Sequence, residues 1–385
     1  MQIDKLKVAR ISTVPFFVLT QLKAQINALS SSGMSVTVIT SDDEMSEKLA
    51  SETIFTFLPI NIERAISPVR DFFSLVALSL AFNKLKFDIV HSTTPKAGLL
   101  SAIAGFIAGT PVRLHTFTGQ TWVTTTGIKR SILMFCDRVI ARLNTHCYAD
   151  SASQRDFLIS SGIIKAEKIS VIGAGSLAGI DLERFNPRRY SASELQALRH
   201  DLNIPSTAKI LLFVGRITPD KGICELISAF SDIVKTNDEV FLVLVGPFES
   251  DGESVVNQVG PGVLSKIKTV GFSSEPEKYM ALADVLCLPS YREGFGTVVI
   301  EAAAMGTPAI GTDIYGLSDA IVNGETGVLV PVRDTASLKA SILAVLDDPE
   351  RLSAMGVAAR DRAIRDFGSK AYSELLIEEY KRFFN

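Results

Sequence analysis

The chain has 385 residues, 47% of them apolar, enough to bury two cores of ordinary domain size. Its net charge of −3 argues against a general nucleic-acid binder, so no nucleic-acid partner is expected. Cys136, Cys147, Cys224 and Cys287 are scattered, with no C-x-x-C spacing and no companion histidine at metal-ligand spacing, as for core thiols of a reducing compartment.

In chain order, Met1-Gln-Ile-Asp-Lys5 lacks the apolar stretch of a signal peptide, which predicts a cytoplasmic protein. Short apolar strands then alternate with helical stretches, the pattern of a doubly wound parallel sheet. The predicted strands are Val8–Thr13, Val36–Thr40, Asp88–His91, Val112–Thr116, Cys147–Asp150 and Ile169–Ile172. Between Pro59 and Tyr148 ten Lys or Arg face four Asp or Glu, so this part has a basic surface, either simply solvated or turned to an anionic partner. The run Phe72–Phe82, followed by Lys84 and Lys86, is shorter than the roughly twenty apolar residues of a membrane span. It reads either as a helix lying on a bilayer or as a buried one. Ala97–Ala108, interrupted by Gly98 and Gly105, fits core packing.

Thr94-Pro95-Lys96 combines an N-cap residue, a proline at the first helical position and a cation, either a plain helix start or an anion site. His115 ends a predicted strand, from which its side chain can project, and Lys129-Arg130 add positive charge further on. Gly173-Ala-Gly-Ser-Leu-Ala178 superficially matches a dinucleotide fingerprint, but Gly179–Pro187 breaks where a long helix should open. It is read as a turn at a domain junction, with the hinge at Phe185–Pro187.

The strand and helix alternation restarts at Ile210. Ile210–Val214 runs into Gly215-Arg216 and Lys221-Gly222, placing two cations at the carboxyl end of a strand, where parallel sheets bind ligands. Glu293-Gly294-Phe295-Gly296-Thr297 opens a predicted helix, Thr297–Met305, closed by Gly306 and Pro308. Its free N–H groups near Gly294–Gly296 suit a phosphate, with Glu293 before the helix and Glu301 one turn inside. That arrangement fits a diphosphate with hydroxyl-rich groups at both ends. Asp42-Asp43 and Asp347-Asp348 lie in polar contexts away from these motifs, so no essential metal is expected. Lys370–Phe384 is helical in pattern, and Tyr380, Phe383 and Phe384 need a surface to pack on.

Gly215-Arg216…Lys221-Gly222, Leu288-Pro-Ser290, Glu293-Gly-Phe-Gly…Glu301, Thr312-Asp-Ile-Tyr-Gly316 and Asn323-Gly-Glu-Thr-Gly327 resemble, in order and spacing, the retaining glycosyltransferases of family four. His91-Ser-Thr-Thr-Pro-Lys-Ala-Gly98, His115-Thr-Phe-Thr-Gly119 and Gly173-Ala-Gly-Ser176…Gly179-Ile-Asp181 look like the branch that elongates lipid-linked bacterial glycans. The resemblance implies an α/β, GT-B architecture of two Rossmann-like doubly wound domains facing across a cleft. Residues 1–186 would bind the acceptor and 187–369 the nucleotide sugar, with helix 370–385 packing back on the first domain.

The implied reaction moves a hexose or N-acetylhexosamine from a UDP-sugar to a polyprenyl-diphosphate-linked saccharide. Its products would be O-antigen, capsule or glycoprotein glycan, made at the inner leaflet by a peripheral protein without metal or cofactor. In the family the acid matching Glu301 binds ribose and the acid matching Glu293 holds the transferred sugar. Arg216, Lys221 and the N–H groups of Gly294–Gly296 would stabilise the leaving diphosphate. Gly271, Phe272 and Ser290 would border the base, with Gly215, Phe295 and Thr297 completing the donor loops. His115 would contact the donor sugar or orient the acceptor; Thr94, Lys96, Lys129 and Arg130 would meet the acceptor diphosphate. Phe16 and Phe17 stand where many members carry a Gly-Gly turn, suggesting an apolar or stacking acceptor surface. An epimerase or hydrolase of the same fold, a transferase with a soluble acceptor, and a noncatalytic glycan-binding protein are the other readings.

Overall fold

The apolar runs form two separate parallel sheets in the computed structural model, which describes residues 6–249 and 251–384. The signal-peptide reading of Met1–Lys5 lies outside the described residues. Two compact units result, Met1–Gly179 with Ser369–Asn385, and Ile180–Gly368.

In the first unit the strands are β1 (Lys7–Ile11), β2 (Ser35–Thr40), β3 (Thr56–Pro59), β4 (Ile89–Thr93), β5 (Val112–Phe117), β6 (His146–Ala149) and β7 (Ile169–Val171). Their spatial order is β3-β2-β1-β4-β5-β6-β7, all parallel, so nearly continuous burial replaces alternation along the central strands. β3 is absent from the predicted elements. It is a four-residue, half-exposed edge strand ending at Pro59, with too little apolar signal to register.

Its principal helices before the boundary are α1 (Lys23–Ser31), α2 (Pro68–Leu85), α3 (Pro95–Ile107), α4 (Gly127–Leu143) and α5 (Ala152–Ser160). α3 packs between α2 and α4 on one face of the sheet, and Leu78, Phe82, Ala97, Leu100 and Ala104 pack there against Ala9, Ile11 and Val90. The run Phe72–Phe82 thus lies in a helix that is only half buried: Ser74, Leu78 and Phe82 face inward, while Phe72, Phe73 and Leu80 are exposed.

The second unit holds β8 (Lys209–Val214), β9 (Val240–Val245), β10 (Ile267–Gly271), β11 (Val285–Leu288), β12 (Ala309–Thr312) and β13 (Gly327–Val330) in the order β10-β9-β8-β11-β12-β13. Its principal helices are α6 (Ala192–Asp201), α7 (Ile223–Ile233), α8 (Pro276–Leu282), α9 (Thr297–Ala304), α10 (Thr335–Leu346) and α11 (Pro349–Asp366). The boundary falls at Gly179/Ile180, a correction to the expected 186/187. Ile180 and Phe185 are buried in the second core, and the Ile180 N–H donates to the Phe367 carbonyl at 2.7 Å.

The last helix, α12 (Ser369–Arg382), belongs to the first unit and packs on α1 through Tyr372, Leu376 and Tyr380. A buried cation anchors it. The Arg10 guanidinium donates to the Tyr380 hydroxyl at 2.7 Å and the Gln25 amide oxygen at 3.0 Å, and contacts His91 Nδ1 at 2.9 Å. Burial, then the Arg10 charge, holds the His91 pKa well below the usual imidazole range, so the ring is a neutral acceptor for Arg10.

Candidate active site

In a doubly wound sheet the loops leaving the carboxyl ends of the strands on either side of the order reversal diverge and leave room for a ligand. In the second unit that reversal lies between β8 and β11, and the loops leaving these strands are Gly215–Gly222 and Pro289–Gly296. The two signature segments, remote in sequence, are therefore neighbours.

Three ties join them. The Lys221 ammonium meets Glu293 Oε1 at 2.5 Å, Arg292 pairs with Asp220 at 2.9 Å, and the Tyr291 N–H donates to the Asp220 carbonyl at 3.0 Å. Glu293 Oε1 also accepts the Ser290 hydroxyl at 2.8 Å, and the Thr312 hydroxyl donates to the Ser290 carbonyl. Gly222 adopts φ +74, and a Cβ there would lie 2.0 Å from the Pro289 carbonyl oxygen, so only glycine permits this approach. Gly316 similarly brings the loop after β12 against Gly294, whose carbonyl oxygen would be 2.7 Å from an added Cβ.

α9 starts at Gly296 with no side-chain cap, leaving its first N–H groups beside the Lys221–Glu293 pair. Glu301 lies one turn inside. Burial pushes its carboxyl up to about 7, with Arg184 opposing and Glu277 reinforcing the shift. Glu277 is itself clamped by Arg184 at 2.9 and 2.8 Å, with Arg189 3.6 Å away. A cation, the start of a helix and two carboxylates are thus gathered at the carboxyl edge of the second sheet, a set of groups with the chemistry to meet phosphate oxygens and hydroxyls.

Other donor candidates differ from their expected presentation. Arg216 is half-exposed at the end of β8 but is paired with Glu249 at 2.7 Å, so its charge is already answered. Phe295 is turned into the core, its ring 5.2 Å from Phe367, and offers only its backbone to the loop. Gly215 directly follows β8, Gly271 ends β10 with exposed Phe272 after it, and Thr297 opens α9 after the loop that leaves β11, all at the carboxyl edge of the sheet.

In the first unit the order reverses between β1 and β4, and their exit loops meet through the Thr13 and Thr94 hydroxyls at 2.6 Å. Thr94 has φ +75 and makes no side-chain cap, so the N-cap reading is corrected: its hydroxyl is committed to Thr13. Lys96 is also corrected as an available cation. It pairs with Asp71 at 2.5 Å and donates to the Ala65 carbonyl. Phe16 is partly exposed and Phe17 half-buried in the helical turn after β1. Lys129 and Arg130 are exposed at the start of α4, the latter with its guanidinium 5.6 Å from the Trp122 ring centre.

His115 does not project from the end of its strand. It lies two residues inside β5, buried, with its ring against Gly98 of α3, where a Cβ would come within 2.4 Å. Burial lowers its pKa to about 3 against a raising contact from Ser92, so it is uncharged at neutral pH, and Nδ1 is 3.0 Å from the Ser92 hydroxyl. Sequence reasoning also missed Arg184, Glu277, Asp220 and Arg292. Their partners are distant in sequence, and no motif announces them. Asp150, just past β6, is a further missed group: burial pushes its carboxyl up to about 8.

Residues 196–362 match the model of the glycosyl transferases group 1 and residues 18–175 that of a glycosyl transferase 4-like domain. The chain is 32% identical over 365 residues to the capsular polysaccharide biosynthesis glycosyltransferase CapM of Staphylococcus aureus, covering 94% of this chain and 93% of CapM. It is 25% identical over 373 residues, 94% of each chain, to the Escherichia coli UDP-Gal:alpha-D-GlcNAc-diphosphoundecaprenol alpha-1,3-galactosyltransferase. Among solved structures, Anabaena Alr3699/HepE in complex with UDP and glucose superimposes with a TM-score of 0.80, at 19% identity, over 98% of this chain and 100% of that one. The chain belongs to the group 1 glycosyltransferases, with the GT-B fold.

Proposed function

We propose that this protein is a retaining glycosyltransferase that moves a hexose or N-acetylhexosamine from a UDP-sugar to a polyprenyl-diphosphate-linked saccharide during bacterial surface-glycan assembly. The observation that carries the reading is the Lys221–Glu293–Ser290 cluster at the uncapped start of α9, with Glu301 one turn deeper. CapM serves capsular polysaccharide, and the Escherichia coli relative acts from UDP-Gal on a diphosphoundecaprenol-linked sugar, which favours this donor and acceptor class over the alternatives.

As the anomeric C–O bond breaks, electrons move to the diphosphate, where Lys221 and the α9 N–H groups offset the growing charge, joined by Arg216 when it leaves its exposed pair with Glu249. Glu293 accepts hydrogen bonds from hydroxyls of the departing sugar, and Glu301 from the ribose. The acceptor hydroxyl attacks from the face of the leaving group and gives its proton to the phosphate oxygen it replaces. Since these groups supply the positive charge, the rate is expected to be unchanged in EDTA. The acceptor diphosphate is held by the first unit, at the β1 and β4 exit loops.

The test is UDP and GDP release from a panel of nucleotide sugars in EDTA, with and without a polyprenyl-diphosphate saccharide extract. Release from a uridine donor only with the extract is the expected result. Equal release without acceptor would assign a hydrolase or epimerase instead.

Glu301 supplies a pH signature. An acid with a folded pKa of about 7, above the unfolded value of about 4.3, binds more protons when folded. Its contribution to stability therefore falls as pH rises through that window. The ionised form accepts two ribose hydrogen bonds, so donor KM is expected to decrease from pH 6 to pH 8. Glu301→Gln is expected to raise KM and flatten both profiles, as measured by initial rates and thermal melts across pH. A KM profile unchanged by this substitution would remove Glu301 from the donor site.

A further inference from the structure

The outward faces of α2 and α4 take no part in the chemistry above. On α2, Val69, Phe72, Phe73, Val76 and Leu80 recur at the helical period and point to solvent, Phe72 and Phe73 being 61% and 66% exposed. On α4, Ile128, Ile132 and Phe135 do the same, at 81%, 54% and 63%. α3 packs between the two helices and adds exposed Phe106 and Ile107 at its end. Large apolar side chains exposed together on neighbouring helices mark an interaction surface.

Charge selects the partner. The exposed charges on these helices are all positive: Arg70 and Lys84 on α2, and Lys129, Arg130, Arg138 and Arg142 on α4. Both acids of the two helices are turned away. Asp71 is paired with Lys96, and buried Asp137 accepts the Trp122 indole N–H at 2.7 Å. Arg70 pairs with Glu63 of the preceding loop.

We propose that α2 and α4 form a bilayer-docking face. The aromatic and aliphatic side chains enter the boundary between head groups and acyl chains, while the arginines and lysines meet anionic phospholipid. A second copy of the chain would oppose like charges across the same face, which disfavours it as the occupant. Among the described residues no helix is long and apolar enough to cross a membrane, so the attachment is along the surface.

Because the sheet is parallel, α2 and α4 both begin at its carboxyl edge. Phe72, Phe73, Ile128 and Ile132 therefore lie toward the edge that carries the Thr13–Thr94 contact. The bilayer would thus be brought to the side where a membrane-borne acceptor arrives, a consequence that rests on the proposed reaction, whereas the docking itself does not.

The full-length protein would be floated with vesicles of phosphatidylcholine, with and without added phosphatidylglycerol. Binding to the anionic vesicles is expected. Phe72→Ser with Phe73→Ser, and Ile132→Ser with Phe135→Ser, should each lower the partition coefficient by about tenfold or more. Arg138→Glu with Arg142→Glu should abolish the preference for phosphatidylglycerol. Thermal melts should be unchanged, since these side chains are exposed. Wild-type protein that binds neither vesicle, or serine variants that bind as wild type, would overturn the proposal. So would a dimer in sedimentation that the Phe72→Ser, Phe73→Ser variant dissolves, which would give the face to a second copy. Loss of nucleotide release in the donor panel with vesicle binding intact would instead remove the transferase reading and leave the docking face standing.

Discussion

Lys221→Ala is expected to lower kcat for sugar transfer by about 10²- to 10³-fold, the usual effect of removing one preorganised group from a developing oxyanion. The ammonium sits at the start of α9, 2.5 Å from Glu293 and mostly buried, so water does not restore the lost charge. Glu293→Gln keeps the shape and the Ser290 contact but weakens both the hold on Lys221 and the bonds to sugar hydroxyls. It should reduce kcat by a comparable factor. Since the two groups touch, the double variant should lose much less than the product of the single losses. Single-turnover kinetics with a purified lipid-linked acceptor, beside thermal melts, separates lost chemistry from lost folding. Wild-type kcat in either single variant would remove the pair from the site.

Gly222→Ala is expected to damage stability and activity together. The backbone has φ +74, which costs an L-residue about 1 kcal/mol. The new methyl would also lie 2.0 Å from the Pro289 carbonyl oxygen, and a backbone atom cannot rotate aside. Strain and displacement together should destabilise the second unit by about 3 kcal/mol or more, lowering its Tm by about 6–12 °C. The turn carries Lys221 against Glu293, so transfer should fall even at temperatures where the unit remains folded. A melt within 1 °C of wild type would show that the turn relaxes, and that the contact with Pro289 is not needed.

Much of this was legible in the sequence because its cause is local. The run Ile210–Val214 is apolar without alternation, as a strand covered on both faces must be, and it forms a central strand. Gly296 and the helix that follows it are readable because a glycine turn and helical periodicity are chain-local properties. The order and spacing of the motifs mark the Gly215–Gly222 and Pro289–Gly296 loops without reference to the strand order. β3 escaped because an edge strand of four half-exposed residues buries too little to impose a pattern.

The sequence alone determined two α/β halves, their predicted parallel sheets and the two loops that carry the conspicuous cations and acids. Tertiary structure decided what each charge faces. Lys96 looked available until Asp71, on a different helix, was found beside it, and Arg216 until Glu249 was. His115 could be placed on its strand, but only the packing of Gly98 from α3 shows that its ring is enclosed and neutral. The amphipathic period of α2 was visible, yet its apolar residues fill both faces, and only packing on α3 and the sheet selects which ones are left exposed. Periodicity and turn chemistry act through neighbours along the chain, whereas ion pairing and burial depend on residues that folding alone brings together.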